Sequence, residues 1–178
     1  MIELPTDSAG AGARNFCVVT LASPQDAAAI HRIAENAGVF SEREITSVSE
    51  MLDAFFNPTP DDDHTFIVHR DETGTLRGLT CFGPTPFTDR VWELYWICVE
   101  RSHQRNHAGH ELMEYVYTDL RARSARALYL ETSDSDAYRP ARAFYEREGF
   151  VRVAHLNDFY ARGEGKIIYR QILDPKGF

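Results

Sequence analysis

The hydrophobic residues of this chain follow two different spacings, and the change between them predicts an α/β fold. Seven short apolar runs, rich in β-branched and aromatic residues, are typical of β-strands. Four other segments carry apolar residues at every third or fourth position, as amphipathic helices do. The predicted strands are residues 16–21, 65–70, 76–82, 92–99, 127–132, 151–155 and 166–173, and the predicted helices are residues 24–37, 42–56, 109–124 and 140–148.

The order of these elements predicts a single domain built on a mixed sheet. A strand, a helix and a strand follow one another between residues 92 and 132, which favours a right-handed crossover and a parallel strand pair. A hairpin signal at residues 65–82 indicates antiparallel pairing elsewhere. We assign residues 14–178 to this domain and expect residues 1–13, which are mostly small or polar, to form a flexible leader.

The composition and charge of the chain argue against several classes of function. The net charge of −8 argues against a general affinity for nucleic acid or an anionic membrane, and mildly favours a cationic substrate. No apolar run reaches the roughly 18 residues of a membrane span, and the start of the chain has no signal-peptide pattern. Cys17, Cys81 and Cys98 are scattered in strand-like contexts. We therefore expect buried free thiols and a cytoplasmic location, and neither a zinc site nor a catalytic thiol.

The residues that suit a binding site follow the fourth predicted strand. A polar segment runs from Glu100 to His107, and Gly109 opens the next helical pattern. The start of a helix presents unpaired backbone N–H groups and the positive end of the helix dipole, which suit an anion such as phosphate. An ordinary strand-to-helix connection is the simpler alternative. His103, His107 and His110 also suggest a metal, but no carboxylate or cysteine stands at a ligand spacing, so we expect none.

Two motifs in the second half of the chain resemble those of the GNAT N-acetyltransferase superfamily. Residues 104–109, QRNHAG, stand where the family has Gln/Arg-x-x-Gly-x-Gly/Ala at the start of its central helix. Residues 141–150, ARAFYEREGF, are similar to the family's A-x-x-F-Y-x-x-x-G-F helix and the strand start that follows it. Either motif alone is weak, but the two at this separation, with a strand between them, are fairly specific.

The resemblance implies the GNAT fold, with a mostly antiparallel sheet and one splayed parallel pair, and acetyl-CoA as co-substrate. The coenzyme pyrophosphate would lie at the start of the central helix, and the pantetheine arm would pair with the backbone of the central strand. The implied coenzyme-binding residues are Ile97, Cys98, Val99, Gln104, Arg105, Asn106, His107, Ala108, Gly109, His110, Tyr138, Ala141 and Phe144. The chain departs from the family at His107, where the first loop glycine is expected, and at Tyr138, where many relatives have an asparagine.

Acetyl transfer needs a base near the amine and profits from an acid near the leaving sulfur. By the resemblance, Tyr145 matches the tyrosine that protonates the thiolate, and Glu93 matches the glutamate that serves as base in histone-acetylating relatives. Burial beside aromatic neighbours would raise the pKa of Glu93 and improve it as a base near neutrality. Tyr145 could instead be a core residue and Glu93 a solvent-facing one, with Glu131 and Tyr95 as reserve candidates.

The sequence therefore predicts an acyltransferase that moves an acetyl group directly from acetyl-CoA to a primary amine, without an acyl-enzyme. The acceptor would be a small molecule, an amino acid or a peptide N-terminus, bound between residues 40–56 and the closing segment 157–164. Two alternatives stay open: an inactive acyl-CoA sensor, suggested by His107 and Tyr138, and an interaction module without a cofactor. The closing strands also offer an edge for a homodimer.

Overall fold

The computed structural model of the chain describes residues 17–38, 40–59 and 62–174. The predicted leader, residues 1–13, and the predicted first strand residue, Phe16, lie outside the described residues. The strands are β1 Val18–Leu21, β2 Thr65–Arg70, β3 Leu76–Pro84, β4 Val91–Val99, β5 Ala127–Ser133, β6 Val151–Ala161 and β7 Glu164–Ile172, and the helices are α1 Ala27–Ala37, α2 Glu42–Phe56, α3 Ala108–Ala122 and α4 Arg139–Arg147. None of the helices in these residues is long and apolar enough to cross a membrane.

All seven of these strands join one sheet in the order β1-β2-β3-β4-β5-β7-β6. Every neighbouring pair is antiparallel except β4 and β5, which run parallel on either side of the α3 crossover, as predicted. The helices α1 and α2 cover one face around Ile30 and Phe66, whereas α3 and α4 cover the other around Leu112 and Leu128. The fold is therefore a mixed α/β domain with an apolar core on each face of the sheet.

The parallel pair is short and opens into a fork. Residues Val91, Trp92 and Glu93 of β4 pair with β5, and the pairing stops there. Beyond Glu93, β4 continues to Val99 against β3 alone, while β5 continues against β7. Among the described strands, none pairs with this edge of β4, so its backbone groups are available to an extended ligand.

A β-bulge lies just beyond the fork. On β3, Cys81 pairs with Trp96 and Phe82 pairs with Leu94, so Tyr95 is the extra residue on β4. Tyr95 and Trp96 both pack toward the core beneath α1 and α2, whereas Leu94 packs beneath α3. The bulge therefore turns two consecutive aromatic side chains toward the same face, next to the opening in the sheet.

Local capping sets the helix boundaries on the α1 and α2 side. Gly38 ends α1 in the left-handed conformation, with φ of 68°. Ser41 begins α2 through a capping box, because its hydroxyl accepts from the Glu44 N–H at 3.3 Å and the Glu44 carboxylate accepts from the Ser41 N–H at 2.7 Å. Both boundaries agree with the sequence prediction.

Two expectations from the sequence are wrong. The strand β6 continues to Ala161 instead of ending at residue 155. All of its residues except Ala154 are exposed on this outer strand, so it lacks the alternation that marks a half-buried strand. Cys17 is exposed, although we expected it to be buried, whereas Cys81 and Cys98 are buried free thiols as expected.

Candidate active site

A cleft of about 1130 Å³ lies between the end of β4, the loop that leads into α3, and α4. Small-molecule sites are typically about 300–1,000 Å³, so the cleft has room for a large ligand. Asn106 is exposed and Ala108 is buried, and neither lines the cleft. The predicted coenzyme and catalytic residues that do line it are Ile97, Cys98, Val99, Gln104, Arg105, His107, Gly109, His110, Tyr138, Ala141, Phe144 and Tyr145.

The loop into α3 contains two residues with a left-handed backbone. The φ angle is 67° at Arg105 and 63° at His107, which is the N-cap of α3. This conformation costs an L-residue about 1–2 kcal/mol, and glycine avoids that cost. Histidine adopts it several-fold more often than most residues. His107 therefore keeps the turn that favours a glycine at this position, at the expense of backbone strain.

The turn leaves the start of α3 with unpaired donors. Within the described part of the chain, the N–H groups of residues 107–110 donate to no protein acceptor, and no side chain caps the helix. The Glu111 N–H is the first to bond, to the His107 carbonyl at 2.9 Å. The loop itself is tied to β4, because Gln104 Nε2 donates to the Val99 carbonyl at 3.1 Å. A fixed helix start with free donors suits a phosphate group.

Basic side chains surround this helix start. The basic residues that line the cleft are Arg101, Arg105, His107, His110 and Arg147. Glu148 is the only carboxylate among the lining residues that the structure describes, and it lies 3.0 Å from His110 Nδ1. This hydrogen bond raises the pKa of His110, which favours its cationic form. The mouth of the cleft is therefore basic, although the whole chain carries a net charge of −8.

Gly109 allows α3 and α4 to approach each other closely. A Cβ atom at this position would lie 3.1 Å from Cε2 of Phe144. Gly109 is not among the residues with a positive φ, so the turn does not require a glycine here. The match to the family motif at Gly109 thus has a packing reason, since only a hydrogen atom fits comfortably beneath the Phe144 ring.

Two tyrosines and a thiol line the cleft on the side of α4. Burial raises the pKa of Tyr138 to about 12, and it raises that of Tyr145 further. The Tyr145 ring packs against Phe144 and Phe150 at centroid distances of 5.7 and 6.1 Å. Burial also raises the pKa of the Cys98 thiol to about 12. The tyrosines are therefore neutral proton donors near pH 7, and Cys98 is too weakly acidic to act as a thiolate nucleophile.

Glu93 stands at the fork on the opposite face of the sheet from Trp92 and Leu94. It is partly buried and does not line the cleft described above. Its pKa is raised by burial and by the nearby Glu131 carboxylate, while Lys166 acts in the opposite direction. Glu93 is the last residue of β4 that pairs with β5, so it stands where the two strands part. The raised pKa agrees in direction with the expectation from the sequence.

The two reserve candidates occupy the same face of the sheet as Glu93. Tyr95 is partly buried, and this burial together with the Glu93 charge raises its pKa. Glu131 is exposed, and Lys166 Nζ donates to its Oε2 at 2.6 Å. Tyr160 also donates to Glu131, at 3.5 Å. Because Glu131 is already paired with a cation, it is the weaker candidate for a base.

Some lining residues were not predicted from the sequence. Arg147 lies one helical turn after Phe144 on α4, and that spacing could have indicated a shared face. Arg101 reaches the cleft because its Nη2 donates to the Ala37 carbonyl at 3.2 Å, at the end of α1. Phe40, which the sequence assigned to the acceptor segment 40–56, joins the rim of the coenzyme cleft by edge-on packing against Trp96, with a centroid distance of 5.3 Å. The last two contacts link distant segments, so no local pattern signals them.

Known proteins share this fold. The family model described as Acetyltransferase (GNAT) family matches residues 28–150, more than half of the chain. A crystal structure from Desulfovibrio desulfuricans, assigned to the GNAT family of acetyltransferases, is 34% identical with a TM-score of 0.84, and the match covers 89% of this chain and 99% of that one. No curated protein matches the chain.

Two further solved structures share the fold at lower identity. The ribosomal-protein-S18-alanine N-acetyltransferase from Escherichia coli is 21% identical with a TM-score of 0.69, and the match covers 89% of this chain and 95% of that one. An aminoglycoside 6'-N-acetyltransferase complexed with coenzyme A is 18% identical with a TM-score of 0.69, covering 89% and 98%.

In the presence of EDTA, we expect one of the three thiols of the native chain to react rapidly with a small disulfide reagent such as DTNB. Cys17 is exposed, whereas burial raises the pKa of Cys81 and Cys98 well above the usual value for a thiol. Cys17→Ser should abolish the rapid phase of thiolate release, and unfolding in denaturant should then release the other two. A rapid phase that persists in Cys17→Ser would contradict the burial of both core thiols.

Proposed function

The chain belongs to the acetyltransferase (GNAT) family, and from that premise we propose that it transfers the acetyl group of acetyl-CoA to a primary amine. The acyltransferase class follows from the family, while the amine acceptor and the roles of individual residues are our proposals. The observation that carries them is the fork between β4 and β5. It lies between a basic helix start, suited to phosphate, and a partly buried carboxylate.

The start of α3 and the free edge of β4 fit coenzyme A. Unpaired N–H groups and basic side chains at the helix start would hold the pyrophosphate without a metal. Main-chain groups of Ile97, Cys98 and Val99 would hold the pantetheine arm along the edge that β5 leaves open. In this arrangement the amides of residues 107–110 gain the acceptor that the protein does not supply. The arm would lead the thioester toward the fork.

Glu93 would act as the general base of the reaction, and Tyr145 would act as the general acid. An ammonium substrate first loses one proton to solvent. The neutral amine nitrogen then attacks the thioester carbonyl while Glu93 takes a second proton from it, so that a C–N bond forms and the C–S bond breaks. Tyr145 gives its hydroxyl proton to the departing sulfur and is reprotonated from solvent. The raised pKa of Glu93 moves it toward the range of an effective base, and the neutral state of Tyr145 suits an acid.

The surroundings of Glu93 favour an acceptor that carries positive charge. Burial raises the pKa of Tyr160, and the charges of Glu131 and Glu44 raise it further. Carboxylates from β5 and α2 therefore lie on this side of the sheet. Lys166 is the cation that partly offsets them. The similar structures act on a ribosomal-protein alanine and on an aminoglycoside, so the fold alone selects neither a peptide nor a small molecule. We propose a cationic primary amine, bound on this side.

The strand β6 would form the contact between two copies of the chain. It is an eleven-residue outer strand of the sheet. Its exposed apolar side chains are Val151, Val153, Leu156, Phe159 and Tyr160. A long outer strand with few protecting charges tends to pair with another strand, and a second copy offers an identical one.

Cytoplasmic location stays a prediction from the cysteine pattern.

Arg105→Glu should weaken the binding of acetyl-CoA by about tenfold or more. Arg105 lines the cleft beside the free amides, and reversing its charge would repel the coenzyme phosphates. Isothermal titration calorimetry of the purified chain measures the dissociation constant. The matched control is Arg43→Glu on the exposed surface of α2, which lies outside the cleft lining. Equal effects of the two variants, or no binding by the native chain, would refute the coenzyme site.

Glu93→Gln should lower kcat by about 10²- to 10⁴-fold while leaving acetyl-CoA affinity unchanged. The base works only when ionised, so kcat/KM of the native chain should fall as the pH drops through the raised pKa of Glu93. Glu131→Gln removes a neighbouring negative charge and should shift that acidic limb to lower pH. The exposed Glu50→Gln on α2 is the control. An unshifted limb in Glu131→Gln would argue against Glu93 as the titrating base.

Sedimentation velocity at micromolar concentration should reveal a dimer that Val153→Lys converts to monomer. A lysine on the outer strand disfavours pairing with a second strand, because the two copies would bring like charges together and each charge would lose contact with water. Arg121→Lys, on the exposed surface of α3, serves as control and should leave the dimer intact. A native chain that sediments as a monomer would refute the proposed pairing.

A further inference from the structure

A second group of reactive side chains lies on the α3 face of the sheet, at its β1 edge. Cys17 immediately precedes β1, His69 belongs to β2, and Glu111 lies in the first turn of α3. The thiol sulfur, an imidazole nitrogen and a carboxylate oxygen of these residues all lie within 4.8 Å of one another. None of the three residues lines the coenzyme cleft. The group is therefore separate from the proposed active site.

Strand pairing explains how the three residues meet. Val19 pairs with His69, and Val19 packs against the core beneath α3. Side chains two positions apart point to the same face of a strand, so Cys17 shares the face of Val19. The first turn of α3 then brings Glu111 over that face, where its Oε2 lies 2.6 Å from His69 Nε2.

One of the two ring nitrogens of His69 has no bonding partner among the described residues. The residue is buried, at 3% exposure, and Nδ1 has no hydrogen-bond partner among the described residues. A neutral imidazole has one N–H and one lone pair, and the Glu111 carboxylate can accept only from the N–H. The lone pair therefore stays unsatisfied in the part of the chain that the structure describes. An unsatisfied buried polar nitrogen of this kind is uncommon. The two ring nitrogens point away from each other, so an ion that Glu111 also binds would take the Nε2 position, and the N–H would move to Nδ1.

The electrostatic environment of the thiol favours a cation. The carboxylates of Glu111, Glu72 and Asp71 all act electrostatically on the Cys17 sulfur. Their charges create a negative potential there, which attracts a positive ion. Asp71 is also held by Arg77 at 2.6 Å, so Glu111 and Glu72 supply the less compensated charge.

We propose that Cys17, His69 and Glu111 bind a zinc-class divalent cation, with a fourth position open to water. One thiolate and one carboxylate balance the two charges of the ion, and the imidazole completes three protein ligands. The thiolate selects zinc or cobalt over magnesium and calcium. The thiol proton passes to solvent as the metal–sulfur bond forms. Metal bonds of about 2.0–2.3 Å set ligand atoms roughly 3.3–3.8 Å apart, so small side-chain rotations suffice.

The bound ion would fasten the edge strand β1 to the start of the central helix. The strand β1 has four residues and one strand neighbour, β2, in the described sheet. The metal would add a covalent-strength link from Cys17 to Glu111, next to the loop that ends at His107. We therefore expect zinc to stabilise the folded chain rather than to take part in acetyl transfer.

The test is a titration of the full chain, freed of metal with EDTA, with Zn²⁺ and separately with Co²⁺. Calorimetry should give one zinc per chain, with release of a proton that makes the apparent enthalpy depend on the buffer. Cobalt should give a thiolate-to-metal charge-transfer band in the near ultraviolet. Zinc should also raise the thermal midpoint and protect the Cys17 thiol from DTNB.

Variants of the proposed ligands test whether these side chains bind the metal. Changes in the outer shell of a metal site cost about 10–100-fold in affinity, so loss of a ligand in Cys17→Ser or Glu111→Gln should cost at least as much. Both positions are at least partly exposed, so these variants should fold. Glu114→Gln, on the exposed side of α3, is the matched control and should bind like the native chain. Absence of stoichiometric binding, or binding that survives Cys17→Ser, would overturn the proposal and leave a plain His69–Glu111 hydrogen bond.

Discussion

Three residue pairs hold β4 against β5, and the rest of the site depends on how early that pairing ends. If the ladder continued to Val99, the backbone edge of β4 would be satisfied and no opening would pass through the sheet. The bulge at Tyr95 lies two residues beyond the last pair and bends β4 there. The α3 crossover then brings the free helix start beside the same edge. One interruption in the ladder thus gives the cleft its depth and places Glu93 where the two strands part.

Charge is separated across this opening more sharply than the net charge suggests. The chain has eight more acidic than basic side chains, yet the start of α3 is surrounded by arginine and histidine. The carboxylates collect instead on the opposite face, around Glu93 and Glu131. The net charge alone argued against nucleic acid and an anionic membrane and only mildly favoured a cationic substrate. The proposed coenzyme and the proposed cationic amine would therefore meet regions of opposite charge.

The sequence predicted most elements because their signals are local. Gly38 marks the end of α1 within a few residues, and two apolar runs joined by the Gly-containing turn 71–75 mark a hairpin. The family motifs located the helix start and α4. The sequence failed where a feature depends on distant partners: β6 has no buried face to impose a pattern, and Arg101 reaches the cleft through the end of α1. The grouping of a thiol, an imidazole and a carboxylate from three elements likewise has no spacing to detect, and for that reason we expected no metal.

The contact between Gly109 and Phe144 limits how this protein can diverge. Because a Cβ atom at Gly109 would lie only 3.1 Å from the ring, a larger residue there requires the Phe144 ring to move by a few tenths of an ångström or to be replaced by a smaller side chain. Phe144 is followed directly by Tyr145, and any such exchange would shift the neighbouring phenol as well. The position of the proposed acid, Tyr145, therefore depends on how closely α3 and α4 pack. Evolution toward a new acceptor has more freedom on the far side of the sheet, which this contact between the two helices does not reach.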